Sequence, residues 1–303
     1  MKIVTSGCKY IDIDAYGGII AYAYLLNLKG IQAKAISTSP LNESITPTLL
    51  DLDVKLDEYE KCDDDEFIIV DVSNKEFFDD IVDEEKIIEV IDHRTGFKEY
   101  WENILKEKAK IEFIGAAATL IVEEYEKENL LSSMPKNIAL LLLAGILDNT
   151  LNLKAQVTTQ RDIDACEKLM RIAGCTSNFA KEYFFECQNS IEADLEKSIE
   201  NDTKVEKICD ILPEVFGQLA VWSKDFIIDN KEIIYKTLGK ISDTWAFNLI
   251  ALSDGKSYII ASGEEYKIKL ERLFGKSFVG DIMELDNVWL RKEIIKKARN
   301  ATQ

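Results

Sequence analysis

IIEVIDHR, residues 87–94, is a β-prone apolar run, 87–91, that ends on three polar residues, Asp92, His93 and Arg94. The same pattern recurs upstream: KIVT at 2–5 leads into Gly7, and FIIV at 67–70 is bracketed by the acidic CDDDE before it and by Asp71 after it. Between them residues 15–28 carry apolar side chains on most faces and read as a buried helix. Strands alternating with helices predict an α/β fold built on a parallel sheet with helices on both faces. Ligands in such sheets sit beyond the carboxyl ends of the strands. Asp12 and Asp14 follow the first strand, Asp71 the next and His93 another, so separate loops are expected to deliver them to one crevice.

GAAAT at 115–119 opens a helix of small residues with backbone N–H groups near its start. The run 137–147 is almost wholly apolar, hence a buried helix, and it ends in Asp148, Asn149 and Thr150; a carboxylate there demands a partner. Residues 158–173 read as a further helix with Asp162 in its first turn and Gly174 as its stop. From 178 to 201 the pattern is helical and increasingly charged, as in a connector, and places a domain boundary near residue 190. The first domain, 1–190, would hold the metal site; the second, 191–303, would be a smaller α+β accessory domain that binds substrate. Its strands are expected at 217–221, 226–228, 245–252 and 257–261, with Asp254-Gly255 as a hairpin turn and a basic helix at 290–298.

At 303 residues and 47% apolar composition the chain can bury a core in each of two domains. No apolar run approaches the roughly eighteen residues of a membrane span, and MKIVTSG lacks the pattern of a signal peptide, so a cytoplasmic protein without a membrane partner is expected. A formal charge of −18 opposes binding to long nucleic acids but leaves room for a local pocket for a small phosphate. Six cysteines at irregular spacing contain no C-x-x-C pair, which argues against a zinc knuckle or disulfide framework and reads most of them as small buried hydrophobes.

Hard divalent cations prefer carboxylate oxygen, and Mn²⁺ also accepts imidazole. Asp12 and Asp14, two apart in a loop, can direct carboxylates at two neighbouring ions, with Asp71 shared between them. Two ions roughly 3.5 to 4 Å apart can clamp an in-line phosphoryl displacement.

The order of these motifs resembles the DHH phosphoesterases, and within them the manganese-dependent family II inorganic pyrophosphatases and related exopolyphosphatases. Gly7 to Asp14 matches Gly-His-x-x-Pro-Asp-x-Asp; IIVDVSN carries the aspartate after a strand, Asp71; Asp92-His93-Arg94 stands for Asp-His-His; GAAAT and LLLAGILDNT supply the fourth element with Asp148. The resemblance implies Asp12, Asp14, Asp71, His93 and Asp148 as metal ligands, Asp71 bridging, with Asp92 supporting His93. It implies catalytic roles for Asp71, His93 and Arg94. It places phosphate contacts at Lys204 in NDTK, and at Arg291 and Lys292 in WLRKEI. Two departures stand out. Cys8 occupies the place of a metal-binding His and would be a soft ligand if it binds, and Arg94 replaces the second His of the triplet, so it cannot titrate but can clamp a phosphate. The resulting expectation is metal-dependent hydrolysis of a phosphoanhydride or phosphoester (pyrophosphate, polyphosphate or a small nucleotide) by a metal-activated water. One or two divalent ions are implied, Mn²⁺ first, with Mg²⁺, Co²⁺ or Zn²⁺ as alternatives, and a homodimer through an edge strand. The alternative is an impaired homologue that binds a phosphate ligand or regulates.

Overall fold

The computed structural model describes residues 1–176 and 178–301. The chain separates into two compact units, Met1–Leu153 with Val157–Tyr183, and Lys154–Gln156 with the chain from Phe184 onward. The sequence pattern put the division near residue 190; both positions lie in the helix Asn178–Ala193.

The first unit runs β1 (Lys2–Thr5), α1 (Ile13–Leu28), β2 (Ala33–Ala35), α2 (Pro47–Leu50), β3 (Glu66–Val70), β4 (Ile87–Asp92), α3 (Lys98–Leu105), β5 (Ala109–Ile111), α4 (Ala117–Lys127), α5 (Lys136–Asn149), α6 (Gln160–Ala173) and the start of α7 (Asn178–Ala193). Its five strands form one parallel sheet in the order β2-β1-β3-β4-β5. α1 is apolar all round because it is covered on all sides, and its glycines allow this. A Cβ on Gly18 would come within 2.8 Å of Val70 Cγ1 on the sheet, and one on Gly17 within 3.0 Å of the Leu141 backbone on α5. α1 begins at Ile13, two residues before the expected start, so Asp12 is its cap and Asp14 lies in its first turn rather than in a loop.

The second unit continues with α8 (Leu195–Asn201), β6 (Thr203–Val205), β7 (Val215–Val221), α9 (Asp225–Asp229), α10 (Lys231–Gly239), β8 (Trp245–Ala251), β9 (Lys256–Ala261), α11 (Glu264–Phe274), β10 (Ile282–Leu285) and α12 (Arg291–Ala301). Its sheet, ordered β10-β9-β8-β7-β6, is mixed, with only β7 and β8 parallel. Alternation along the strands feeds two cores: Phe247 and Leu249 join one with Ile199 and Ile234, while Phe216 and Ile259 join the other with Leu270 and Ile294. Residues 226–228, expected as a strand, lie in α9; a short apolar run has no periodicity to separate helix from strand. Among the cysteines only Cys166 and Cys187 are buried, whereas Cys62 is exposed, so the expectation of mostly buried thiols fails. No helix among the described residues is long and apolar enough to cross a membrane.

Candidate metal centre

The strand order of the first unit reverses at β1, with β2 on one side and β3 on the other. Loops leaving the strands on either side of such a switch point part and open a crevice. Asp12 stands there as the cap of α1, its Oδ1 accepting from Ala15 N at 2.9 Å. Asp14 is 1% exposed, and its carboxylate receives the start of another helix: Ala117 N donates to Oδ2 and Ala118 N to Oδ1, each at 2.8 Å. Asn149 Nδ2 adds a third bond, to Oδ2 at 2.6 Å. Gly145 on α5 makes room, since a Cβ there would sit 3.2 Å from Asp14 Oδ1.

Asp71 follows β3 with φ 61°, a left-handed conformation that Asp and Asn tolerate better than most residues. Its backbone N–H bonds to Ile91 O at 2.8 Å, so the turn stays tied to β4 while the buried side chain is aimed inward. His93 follows β4, 3% exposed, with Nδ1 3.2 Å from the carbonyl of Ile114. A carbonyl only accepts, which puts the ring hydrogen on Nδ1 and turns the Nε2 lone pair toward Asp71 Oδ1, 3.3 Å away. Two acceptors facing at that distance call for a proton or a cation.

Asp14, Asp71 and His93 therefore form a buried trio, each offering one ligand atom, all within 4.8 Å of one another. Two carboxylates and an imidazole suit a divalent cation that takes oxygen and nitrogen. Asp12, Asp148 and Cys8 are not members of that trio. Asp148 lies in the last turn of α5 and finds its partner in the Tyr183 hydroxyl, 3.0 Å from Oδ1. Cys8 is partly exposed in the β1–α1 loop, held through its backbone N–H to Phe77 O at 2.8 Å. Asp92 Oδ2 accepts from Ser73 Oγ at 2.6 Å and its Oδ1 from Arg94. The Ile114 carbonyl orients His93 through Nδ1.

Arg94 leans back over the acids. Nη2 donates to Asp71 Oδ1 at 2.9 Å and also to the Asp71 carbonyl, and Nε donates to Asp92 Oδ1 at 3.2 Å. In the second unit Lys204 is exposed on β6. Arg291 begins α12 with Nη1 on the carbonyls of Asp202 and Phe216 and Nη2 on Asp202 Oδ1 at 2.6 Å; Lys292 follows it. The guanidinium expected to meet phosphate is engaged within its own unit.

Residues 2–146 match the family model described as the DHH family, N-terminal domain. The first unit carries a DHH-family domain. A Lactobacillus gasseri protein named "Probable manganese-dependent inorganic pyrophosphatase" is 25% identical over 305 residues, spanning 96% of this chain and 95% of its own length. A namesake from Lactobacillus delbrueckii subsp. bulgaricus is 26% identical over 307 residues, covering 97% and 96%. The crystal structure of a Methanococcus jannaschii protein provisionally assigned as a family II inorganic pyrophosphatase shares the fold with a TM-score of 0.66 at 24% identity, covering 99% of this chain and 100% of that one. The DHH domain thus accounts for the parallel sheet and the crevice at its switch point.

The acids of the DHH domain shape its stability. Burial first, then the Asp12 carboxylate, pushes Asp14 from an ordinary 3.8 up to about 7, against the two backbone donors and Arg94. Asp71 is raised as well, by burial and by Asp12, Asp14 and Asp92, with Arg94 opposing. Between 3.8 and about 7 the folded protein holds a proton on Asp14 that the unfolded chain has released, so folding stability falls as pH rises through that window. The cost from Asp14 alone is on the order of 4 kcal/mol once pH exceeds the folded value. We expect the melting temperature of chelator-treated protein to drop between pH 5 and 7.5, and Mn²⁺ to flatten the slope. A metal-free melting temperature that rises over that range would contradict this account.

Proposed function

We propose that the chain is a metal-dependent phosphohydrolase acting on a small phosphoanhydride or phosphoester. The observation that carries this reading is the convergence of Asp14, Asp71 and His93, buried and within 4.8 Å of one another, at the switch point of a DHH-domain sheet. Asp14, Asp71 and His93 would hold a divalent ion, with Asp12 and Asp148 as further donors from the same crevice. Such an ion supplies Lewis-acid polarisation of a phosphoryl oxygen and lowers the pKa of water. Manganese is the first candidate, on the strength of the relatives' names.

The protein's own contribution is fixed geometry. The α4 N–H groups and Asn149 hold Asp14 in one orientation, and Ile114 sets the His93 tautomer. Arg94, with 54% of its side chain exposed, turns part of its guanidinium to solvent where an anionic phosphate arrives. The second unit is assigned an accessory role in substrate binding, with Lys204 and Lys292 as phosphate contacts and Arg291 as the brace that fixes the start of α12. Pyrophosphate, short polyphosphate and small nucleotides are the substrates to try.

The test is phosphate release from pyrophosphate, tripolyphosphate and a nucleotide ester by chelator-treated protein reloaded with Mn²⁺, Mg²⁺, Co²⁺ or Zn²⁺. Turnover of at least one substrate, greatest with Mn²⁺, is expected. A second reading is favoured by the Arg94–Asp71 ion pair, which occupies the central acid: a domain that binds a phosphate ligand without cleaving it. Ion uptake and ligand binding without turnover in every combination would decide for that second reading.

A further inference from the structure

We propose that the Arg94 guanidinium is a built-in second cation of this centre, so that the site takes up one divalent ion per chain and not two. The inference rests on the metal-dependent reading above and concerns what surrounds the ion.

The first ground is what Arg94 touches. Nη2 bonds both the carboxylate and the carbonyl of Asp71, Nε bonds Asp92 Oδ1, and the Arg94 backbone N–H bonds that same Asp92 oxygen at 3.2 Å. These four bonds, three from the guanidinium and one from the Arg94 backbone N–H, all donated to Asp71 and Asp92, hold the guanidinium over the acids. Asp71 Oδ1 thereby has a guanidinium N–H at 2.9 Å and His93 Nε2 at 3.3 Å. Both contacts fall on one carboxylate oxygen, so the guanidinium already supplies positive charge at Asp71, and a second dication bridged through Asp71 would face it, a dication against a cation.

The second ground is the supply of ligands, to which a guanidinium, always protonated, adds none. Among the described residues only Asp14, Asp71 and His93 gather three metal-ligating atoms within 4.8 Å. Asp12 spends Oδ1 on Ala15 N, Asp148 sits with Tyr183, and Cys8 lies in a partly exposed loop, so the further donors do not assemble a second set of three. Asp71 and Asp92 pair with Arg94 instead. Unlike an ion, a guanidinium cannot be lost to dilution or a chelator, and its exposed part remains able to take a phosphate oxygen.

Equilibrium dialysis of the full chain against Mn²⁺, with metal analysis and low-temperature electron paramagnetic resonance, reads this without any turnover. The wild type is expected to hold one ion per chain with the spectrum of an isolated Mn²⁺, and Arg94→His to rise toward two ions with an exchange-coupled spectrum. Two coupled ions in the wild type, or Arg94→His that folds and still holds one, overturns the proposal and leaves the metal-dependent reading standing. If Arg94→His does not fold, the wild-type count and spectrum alone decide between one ion and two. No ion in the wild type, or uptake that Asp71→Asn leaves unchanged, removes the metal-dependent reading itself, and this inference with it.

Discussion

Asp71→Asn is expected to lower phosphate release by at least about a thousandfold while leaving the fold intact. Asn has the same shape and tolerates the left-handed backbone at φ 61°, and its amide oxygen can still accept from Arg94. What it loses is the negative charge at the point where Asp14, His93 and Arg94 meet. The uncharged amide is a poor ligand for a hard cation, so ion uptake should fall together with turnover. Stability should move the other way in metal-free protein, because the variant removes a buried carboxylate whose ionised form is disfavoured by burial and by three neighbouring acids. Phosphate release by Asp71→Asn within tenfold of the wild type would refute a central role for this carboxylate.

Asp162→Ala carries the largest expected effect on stability. Asp162 is fully buried, and its carboxylate accepts four bonds: from Gly115 N at 3.1 Å, Thr119 Oγ1 at 2.6 Å, Thr159 N at 2.7 Å and Thr159 Oγ1 at 2.8 Å. It thus closes the capping box of α6 and pins the loop that opens α4. Truncation leaves four donors without their acceptor, those of Gly115 and Thr119 in the interior and those of Thr159 part-buried, a cost of about 3 to 5 kcal/mol. For a unit of this size that is a fall of about 10 °C in melting temperature. Gly115 belongs to the same joint, because a Cβ there would come within 2.7 Å of Asp162 and 2.6 Å of Thr150 Cγ2. The loop also carries the Ile114 carbonyl behind His93 and the two N–H groups on Asp14, so phosphate release should decline with stability even at temperatures where the variant is folded. A melting temperature within 2 °C of the wild type would show that the joint does not need this acid.

The strands that lead to Asp71 and His93 were legible because each is a short, mostly apolar run, FIIV and IIEVI, that gives way to polar residues, a pattern contained within a few positions. The α/β sheet and the crevice follow from that pattern and from helices between the strands. Asp14 was legible as a site acid but not as the residue that receives α4, since its donors lie 103 and 104 residues away and no local signal announces them. Asn149 stood in plain sight beside Asp148, yet its bond to Asp14 spans 135 residues. The start of α1 was misplaced because Ile11-Asp12-Ile13-Asp14 alternates like an extended segment, while the capping bond from Ala15 to Asp12 makes it the first turn of a helix. Arg291 read as a phosphate contact from the resemblance of WLRKEI to the family's basic motif; the acceptors that engage it, Asp202 and the Phe216 carbonyl, are 89 and 75 residues earlier.

The parallel sheet also sets the order in which the molecule can assemble. β3 and β4 are neighbours in sequence, but β1, which leads to Asp14, meets β3 across 64 residues. Contacts of such long sequence separation form late and slowly, so the nascent chain has no local fragment in which Asp14, Asp71 and His93 are neighbours. On the proposed reading a cation would not template the early steps but would meet a pocket that folding has already made. It would then join residues 14, 71 and 93, which have to separate before the sheet can open. Its influence should therefore fall on the rate of unfolding and leave the rate of folding nearly unchanged, making the loaded protein kinetically long-lived well beyond what its equilibrium stability alone would provide.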